Sequence, residues 1–307
     1  MRVAVVGLGL IGGSLALATN AKGYDAHPLV RAKARERGID VRDTLAEAVG
    51  GAELVVVAVP RAALPDSLLA AARSADRATL TDVASSKKDV EALATALPEG
   101  VRFIGGHPMA GSTRRGIESA EASLFRGRPW LLVPTSRTDP AAATLAGALA
   151  RDVGAEPLVL SAARHEELMT LVSRLPLVVA VGLMRQAGQA LEDRRNEPRT
   201  ADRANAERVD AERAGTDRVH AGPLAAVAGP GFLDTTRLAG TPPELAVELA
   251  LADPDALADA IDAFVRDVGS LAAVLRAGDA GALRTWLAEG AAPRAQLERT
   301  RDSSSAK

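Results

Sequence analysis

The first fourteen residues, MRVAVVGLGLIGGS, constrain the fold of this chain more than any other stretch. The run 3–6 is apolar and rich in β-branched residues, which is typical of a buried strand. It is followed by G-x-G-x-x-G at Gly7, Gly9 and Gly12, and then by apolar residues at helical spacing. In such a strand–turn–helix unit the first glycine permits the turn, the second lets a pyrophosphate approach, and the third lets the helix pack on the strand. The sequence therefore predicts a dinucleotide-binding unit at its start.

An acidic residue at the end of the second strand should bind the ribose hydroxyls of such a cofactor, and Asp25 is the candidate. Asp25 follows Gly12 so closely that either the first helix is short, near 12–20, or the second strand is a stub. A carboxylate repels a 2′-phosphate, so this residue favours NAD over NADP; alternatively, it only caps a turn. The start of the helix adds unpaired N–H groups for the phosphates. The predicted cofactor-binding residues are Gly7, Gly9, Leu10, Ile11, Gly12 and Asp25.

Strand and helix patterns alternate from there to Leu160. Strands are predicted at 53–59, 78–83, 101–105, 129–133 and 157–160, and helices at 65–73, 87–97 and 139–152. Repeated strand–helix units predict a parallel sheet covered on both faces. From Ser161 onwards only helical patterns follow, at 165–189, 242–252, 255–275 and 280–289. The predicted class is α/β, with an N-terminal Rossmann-type parallel sheet domain at 1–160 and an all-helical C-terminal domain at 161–307.

Composition excludes several classes of function. The net charge of −2 argues against nucleic acid or an anionic membrane as a partner, and no cysteine is present for a disulfide or a thiolate site. We see no cluster of metal ligands, no uninterrupted apolar run long enough to span a membrane, and no room for a signal peptide before the first strand. The expectation is a soluble cytoplasmic protein. The charged segment 192–218 is predicted to be a solvated loop or frayed helix, and 299–307 a disordered tail.

Polar side chains follow two of the predicted strands, where the carboxyl ends of a parallel sheet bind ligands. His107 lies in a glycine-rich stretch that would let a ligand come close, and histidine is the usual general base near neutral pH. Ser85 could hydrogen-bond the same substrate hydroxyl. Further along, Arg237 stands at a turn between helices and suits bidentate binding of a carboxylate. The alternatives are a structural histidine in a turn, a helix N-cap and a surface arginine.

Several of these motifs belong together. The chain resembles the prephenate/arogenate dehydrogenases of tyrosine biosynthesis over nearly its whole length, in the stretches GLGLIGGS, DVASSK, FIGGHPMAGS, LFRGRPWLLVPT, SRLP and GFLDTTRLA. The resemblance implies a nucleotide-binding domain followed by a helical domain that forms a homodimer. It also implies oxidative decarboxylation of prephenate to 4-hydroxyphenylpyruvate with NAD or, less expected here, NADP. The alternatives are an enzyme acting on arogenate or an amino-substituted prephenate, and a catalytically weak dinucleotide-binding homologue.

The resemblance also implies roles for single residues. His107 would accept a hydrogen bond from the ring hydroxyl, Ser85 would help to orient it, and Arg237 would bind a substrate carboxylate. His165 and Ser112 are further candidates for the substrate pocket.

One departure falls on the substrate side. Family members usually read SHLPH where this chain has SRLPL at 173–177, so both histidines are gone. Arg174 replaces the first of them and is either a second carboxylate ligand or part of a salt bridge at the domain interface. It stands nine positions after His165, which in one straight helix would put the two on opposite sides.

Overall fold

The structure is a computed structural model that describes residues 1–110, 115–196, 224 and 227–305. Contacts divide the chain into two compact units, Met1–Asp253 and Pro254–Lys307. The predicted division into a nucleotide-binding domain at 1–160 and a helical domain at 161–307 stays a prediction.

The first unit is built on an eight-stranded sheet in the order β3-β2-β1-β4-β5-β6-β7-β8. The strands are β1 (Val3–Val6), β2 (Lys22–Tyr24), β3 (Asp40–Val41), β4 (Leu54–Val57), β5 (Thr79–Asp82), β6 (Arg102–Pro108), β7 (Pro129–Pro134) and β8 (Glu156–Val159). Successive residues of β1 face two separate apolar cores, because Val3 and Val5 belong to one buried cluster and Ala4 and Val6 to the other. The predicted sheet with both faces covered is therefore confirmed.

The prediction that all strands run parallel is wrong at one pair. From β3 to β6 every pair is parallel, but β7 runs antiparallel to β6, with Val133 opposite Gly105. A parallel neighbour needs a crossover, usually a helix. In the described part of the link from β6 to β7 the only helical element is the 3-10 turn Ile117–Ser119. A crossover helix returns only after β7, and β8 is accordingly parallel to β7.

The helices of the first unit are α1 (Leu10–Thr19), α2 (Pro28–Glu36), α3 (Leu45–Val49), α4 (Leu64–Ser74), α5 (Val90–Ala96), α6 (Pro140–Asp152), α7 (Ala162–Met169), α8 (Leu175–Asn196), α9 (Pro230–Thr236) and α10 (Pro243–Ala250). Both explanations of the short interval before Asp25 hold, since α1 has ten residues and β2 only three. The sequence does not predict α2, β3 or α3, which are short and weakly patterned.

The second unit consists of α11 (Pro254–Ala277) and α12 (Ala280–Ser305), joined at Gly278, whose φ is +65°. Helix α12 continues through 299–305, where the sequence predicts a disordered tail. Just before this stretch, exposed Arg294 and Glu298 form an ion pair one helical turn apart. The part of the charged segment 192–218 that follows Asn196 lies outside the described residues. Beyond β8 the described residues contain helices and no strand, as predicted.

Helices α7 and α8 are joined without a break by a π-helical turn at Thr170–Arg174. The resulting run Ala162–Gly188 is long and apolar enough, by length and composition alone, to cross a membrane, with a mean hydropathy of 1.7 in its most apolar window. The sequence predicts no such span because charged residues interrupt the run. Glu166 and Arg174 are two of them, and both are buried.

Candidate active site

The turn from β1 to α1 has the geometry that the glycine pattern predicts. Gly7 has a φ of +92°, and a side chain there would meet the carbonyl oxygen of Ala58 at 2.4 Å. At Gly12 a Cβ would lie 1.8 Å from the carbonyl oxygen of Gly7, so only glycine lets the helix pack this closely. At Gly9, by contrast, no heavy atom of the described residues apart from its chain neighbours comes within 4 Å of a Cβ position. The backbone is therefore open at the one glycine that a pyrophosphate would approach.

Asp25 lies just beyond β2 and connects two loops at this edge of the sheet. Its carboxylate accepts hydrogen bonds from the backbone N–H groups of Leu8 and His27, each at 2.8 Å. Together with Gly7 and Gly9 it lines a cleft of about 720 Å³. Leu10 and Ile11 form the first turn of α1, where backbone N–H groups have no partner within the helix. The free N–H groups of this turn could donate hydrogen bonds to the two phosphates of a dinucleotide.

His107 lies within β6, opposite Leu131 on β7, rather than in a turn after the strand. Its Nδ1 is 2.9 Å from Nε2 of His165, which is fully buried at the start of α7. The Nδ1 of His165 is in turn 2.9 Å from Oε1 of Glu166. The Nε2 of His107 has no hydrogen-bond partner in the described part of the chain. Among the described residues, the base therefore has one anchored nitrogen and one without a protein partner.

Glu166 is a residue of this site that the sequence reasoning missed. Its carboxylate also accepts hydrogen bonds from the side chain of Arg174 at 2.6 Å, from the Ser86 hydroxyl at 3.3 Å and from the backbone N–H of Lys87. The sequence shows two adjacent glutamates at 166 and 167 and gives no sign of which one faces inward. Burial decides it, since Glu166 is buried and Glu167 forms an exposed ion pair with Arg164.

The electrostatics of the cluster keep the base neutral and the acid ionised. Burial lowers the pKa of His107 well below 6.5, and the nearby charge of Lys87 and the ring of His165 lower it further. Burial alone would raise the pKa of Glu166, but hydrogen bonds from His165, the Lys87 N–H and Arg174 outweigh it and lower that pKa to about 2. At neutral pH the cluster therefore contains an uncharged imidazole at His107 and a carboxylate at Glu166.

A second buried ion pair, between Lys87 and Asp82, contacts the backbone next to His107. The Lys87 ammonium donates to Asp82 at 2.7 Å, and Asp82 accepts the N–H of Gly106 at 3.0 Å. Burial lowers the pKa of Lys87, although Asp82 raises it in part. A Cβ on Gly105 would meet the Lys87 side chain at 3.0 Å, and one on Gly106 would meet the Asp82 carbonyl oxygen at 2.5 Å. The expectation that these glycines admit a ligand is therefore wrong, because protein atoms fill the space.

The other predicted substrate residues are placed as follows. Ser85 is half-buried, and its hydroxyl makes no hydrogen bond to the described part of the chain. Arg237 is exposed at the start of the 3-10 turn Arg237–Gly240 and forms no ion pair with a described residue. Arg174 is 2% exposed and holds Glu166 and Thr170, so its guanidinium is already engaged. Ser112 lies outside the described residues.

Arg174 and His165 would lie on opposite sides only in a straight α-helix, and the structure shows a π-helical turn between them. The π-helical turn Thr170–Arg174 has more residues per turn than an α-helix, so it rotates Arg174 back towards the side of Glu166. Both residues consequently hydrogen-bond the same carboxylate.

The carboxyl ends of β1, β4, β5 and β6 share one edge of the sheet, because these strands are parallel neighbours. That edge carries the dinucleotide turn after β1 and the neutral imidazole of His107 on β6. A base of this kind can accept the proton of a substrate hydroxyl while a nicotinamide ring takes up a hydride. The arrangement suits dehydrogenation of an alcohol carbon.

Comparison with protein families gives two matches along the chain. Residues 16–159 match the model described as prephenate dehydrogenase, nucleotide-binding domain, and residues 211–289 match prephenate dehydrogenase, dimerization domain. Among curated proteins, a cyclohexadienyl dehydrogenase of Zymomonas mobilis is 27% identical, covering 98% of this chain and 97% of that protein. A prephenate dehydrogenase of Bacillus subtilis is also 27% identical, covering 91% of this chain and 71% of that protein.

Solved structures of the same kind are similar over almost the entire chain. The arogenate dehydrogenase of Synechocystis has a TM-score of 0.75 and 26% identity, covering 97% of this chain and all of that one. The prephenate dehydrogenase of A. aeolicus, solved with hydroxyphenyl propionate and NAD+, has a TM-score of 0.76 and 25% identity, covering 97% of this chain and 98% of that one.

Proposed function

Since this chain belongs to the prephenate/arogenate dehydrogenase family, we propose that it converts prephenate to 4-hydroxyphenylpyruvate by NAD-dependent oxidative decarboxylation. The observation that carries the proposal is His107. Its imidazole is neutral, its Nδ1 is anchored to His165, and its Nε2 is unpaired in the described part of the chain. It lies at the sheet edge that also carries the dinucleotide turn.

The residues present account for each proton in that reaction. Bound NAD supplies the hydride acceptor for the ring carbon that carries the hydroxyl. As carbonyl character develops at that carbon, Nε2 of His107 accepts the hydroxyl proton, which the low pKa of His107 makes feasible near pH 7. The ring carboxylate leaves as carbon dioxide, its bonding electrons aromatise the ring, and His107 returns the proton to the phenol oxygen. In this proposal Ser85 orients the hydroxyl and Arg237 binds a carboxylate.

The cofactor preference is proposed from the cleft. The open backbone at Gly9 and the first turn of α1, at Leu10 and Ile11, would hold the pyrophosphate. Asp25 would hold the ribose. Its negative charge lies on the cleft wall, so a ribose 2′-phosphate would be repelled and NAD would be preferred over NADP.

The test is absorbance at 340 nm with each pairing of prephenate or arogenate with NAD or NADP. We expect the highest kcat/KM for prephenate with NAD. Better use of NADP would contradict the assignment of Asp25 to the ribose. Measurable NAD binding without turnover of either substrate would instead support a catalytically weak dinucleotide-binding homologue.

Arogenate is the second candidate substrate, because the fold is as similar to an arogenate dehydrogenase as to a prephenate dehydrogenase. The two substrates differ in the side chain, which carries an amino group in arogenate and a keto group in prephenate. Arg174 offers no means of choosing between them, since its charge is balanced by Glu166. A higher kcat/KM with arogenate than with prephenate in the same assay would identify arogenate as the substrate.

We further propose a cytoplasmic homodimer with no nucleic-acid or membrane partner. The matched dimerization model supports the dimer. The helical run Ala162–Gly188 exposes Leu171, Val172 and Leu183, and α11 exposes Val265, all of which a second copy would cover. A helix with a buried Glu166–Arg174 pair suits a protein interior better than lipid. Light scattering after size-exclusion chromatography should give twice the chain mass, and fractionated cells should hold the protein in the soluble fraction.

A further inference from the structure

We propose that Glu166, held in place by Arg174, is a positioning residue that sets the tautomer of the base His107 through His165. This inference rests on the proposed function only in that His107 is taken to be the catalytic base. The arrangement itself consists of four buried side chains in one hydrogen-bonded chain, from the guanidinium at 174 to the imidazole at 107.

The ring protons of the two histidines can be assigned by starting from the Glu166 carboxylate. An ionised carboxylate only accepts hydrogen bonds, so the Nδ1 of His165, 2.9 Å from Glu166, must carry a proton. With one ring proton on the His165 imidazole, its other nitrogen is an acceptor, and Nε2 of His165 then accepts from Nδ1 of His107 at 2.9 Å. His107 therefore keeps its own proton on Nδ1. Its Nε2 is left with the lone pair that a substrate hydroxyl needs.

The Glu166 carboxylate is held in place by hydrogen bonds, so it can determine which nitrogen of each histidine carries the proton. Oε1 accepts from His165 and from the backbone N–H of Lys87, while Oε2 accepts from Arg174 and from the Ser86 hydroxyl. Four donors from three segments thus occupy both oxygens. A carboxylate that is hydrogen-bonded in this way stays ionised across the working pH range.

The π-helical turn Thr170–Arg174 brings Arg174 towards this carboxylate. In a straight α-helix a residue eight positions after Glu166 would be rotated by about 80° from it. The turn reduces that rotation, and a hydrogen bond of 3.1 Å to the Thr170 hydroxyl holds the guanidinium there. Such π-turns are frequent at functional sites. Arg174 therefore acts on the base indirectly, by binding Glu166, and does not contact the substrate in this proposal.

Within this hydrogen-bonded chain, Glu166 is the member that favours the protonated form of His107. When Nε2 of His107 takes up a proton, the charged groups around it are Lys87 and Arg174, which oppose it, and Glu166, which favours it, with His165 between. No further proton needs to move, because His107 keeps its Nδ1 proton and its hydrogen bond to His165. Removing the negative charge of Glu166 would take away the charge that favours the protonated base and leave the opposing cations, Arg174 and the Asp82-paired Lys87.

The test compares Glu166→Gln with Glu167→Gln, a matched control that neutralises the next residue of α7, whose ion pair with Arg164 is exposed. Histidine ring ¹⁵N spectra are practical because the chain has four histidines. His107→Asn identifies the His107 signals. We expect the wild type and the control to show the lone pair on Nε2 of His107, and Glu166→Gln to shift His107 towards the tautomer with the proton on Nε2.

In the same variant we expect kcat to fall about 10²-fold or more and the acid limb of kcat/KM to move to lower pH, with NAD affinity unchanged. If Glu166→Gln does not fold, the double variant Glu166→Gln/Arg174→Met removes both charges and takes its place. Unchanged histidine spectra and an unchanged acid limb would overturn the inference. The spectra need no turnover, so an inactive wild type would refute the proposed function while the spectra still decide the tautomer.

Discussion

At the residue scale, the sharpest expectation concerns the base. His107→Asn keeps the approximate size of the side chain and can still donate to His165, but it cannot accept the substrate proton. We expect kcat to fall by about 10²–10⁴-fold, the usual contribution of a general base. NAD affinity should stay unchanged, because His107 does not line the cleft at the dinucleotide turn. Steady-state kinetics and NAD titration check this, and a fall of less than about tenfold would make His107 structural.

The two arginines that the sequence offers as carboxylate ligands should respond differently to removal. Arg237 is exposed and free of ion pairs in the described part of the chain, so Arg237→Ala should raise KM for prephenate by about tenfold or more and leave stability unchanged. Arg174→Ala should instead destabilise the fold by about 3–5 kcal/mol, because it leaves the Glu166 carboxylate buried without its cation. Kinetics and chemical denaturation of both variants separate the two roles. A raised KM without lost stability in Arg174→Ala would reverse the assignment.

At the scale of elements, two glycines in the turn between β1 and α1 should have different effects, one on NAD binding and the other on stability. Gly9 has an ordinary extended backbone with a φ of −73° and open space around it, so Gly9→Ala should fold normally. Its new methyl group would occupy the path of the pyrophosphate, and NAD affinity should fall by about tenfold or more. Gly12→Ala should lower the melting temperature of the protein without cofactor, because its Cβ would overlap the Gly7 carbonyl.

Thermal melts without cofactor and NAD titrations provide the comparison. Equal NAD affinity in Gly9→Ala and wild type would mean that the pyrophosphate does not approach the backbone at this glycine.

The elements that the sequence predicts are those with a strong local pattern. The apolar strands, the glycine turn and the long helices after Ser161 follow from periodicity and spacing. Two features depend on contacts distant in sequence and could not be read locally. The antiparallel β7 follows from a link to β6 whose described part contains no crossover helix, and the inward position of Glu166 follows from its contacts with Ser86 and Lys87 after β5. The motif residues at 107 and 165 were both predicted, but their contact requires β6 and α7 to be packed together.

At the scale of the whole molecule, the buried cluster should make stability depend on pH. The pKa of His107 lies well below 6.5 in the folded chain, so below pH 6.5 the unfolded chain binds a proton that the folded chain does not. Stability from this group is present above pH 6.5 and is lost as the pH falls. The pKa of Glu166 is about 2 when folded against 4.5 as its ordinary value. Its contribution is fully present above pH 4.5 and is lost on acidification towards pH 2. Both groups therefore act in the same direction, towards unfolding in acid.

We expect the free energy of unfolding, measured by urea denaturation at one protein concentration, to decrease from pH 7.5 to pH 5. His107→Asn should decrease less over that interval, because asparagine has no proton to bind in the unfolded chain. His27→Asn is the matched control, since His27 is exposed; its pH dependence should follow that of the wild type. Glu166→Gln should match the wild type from pH 7.5 to pH 5 and lose less stability only below pH 4.5. If His107→Asn and His27→Asn gave the same pH dependence as the wild type, His107 would be free to take up a proton in the folded chain, and the neutral base on which the mechanism depends would be wrong.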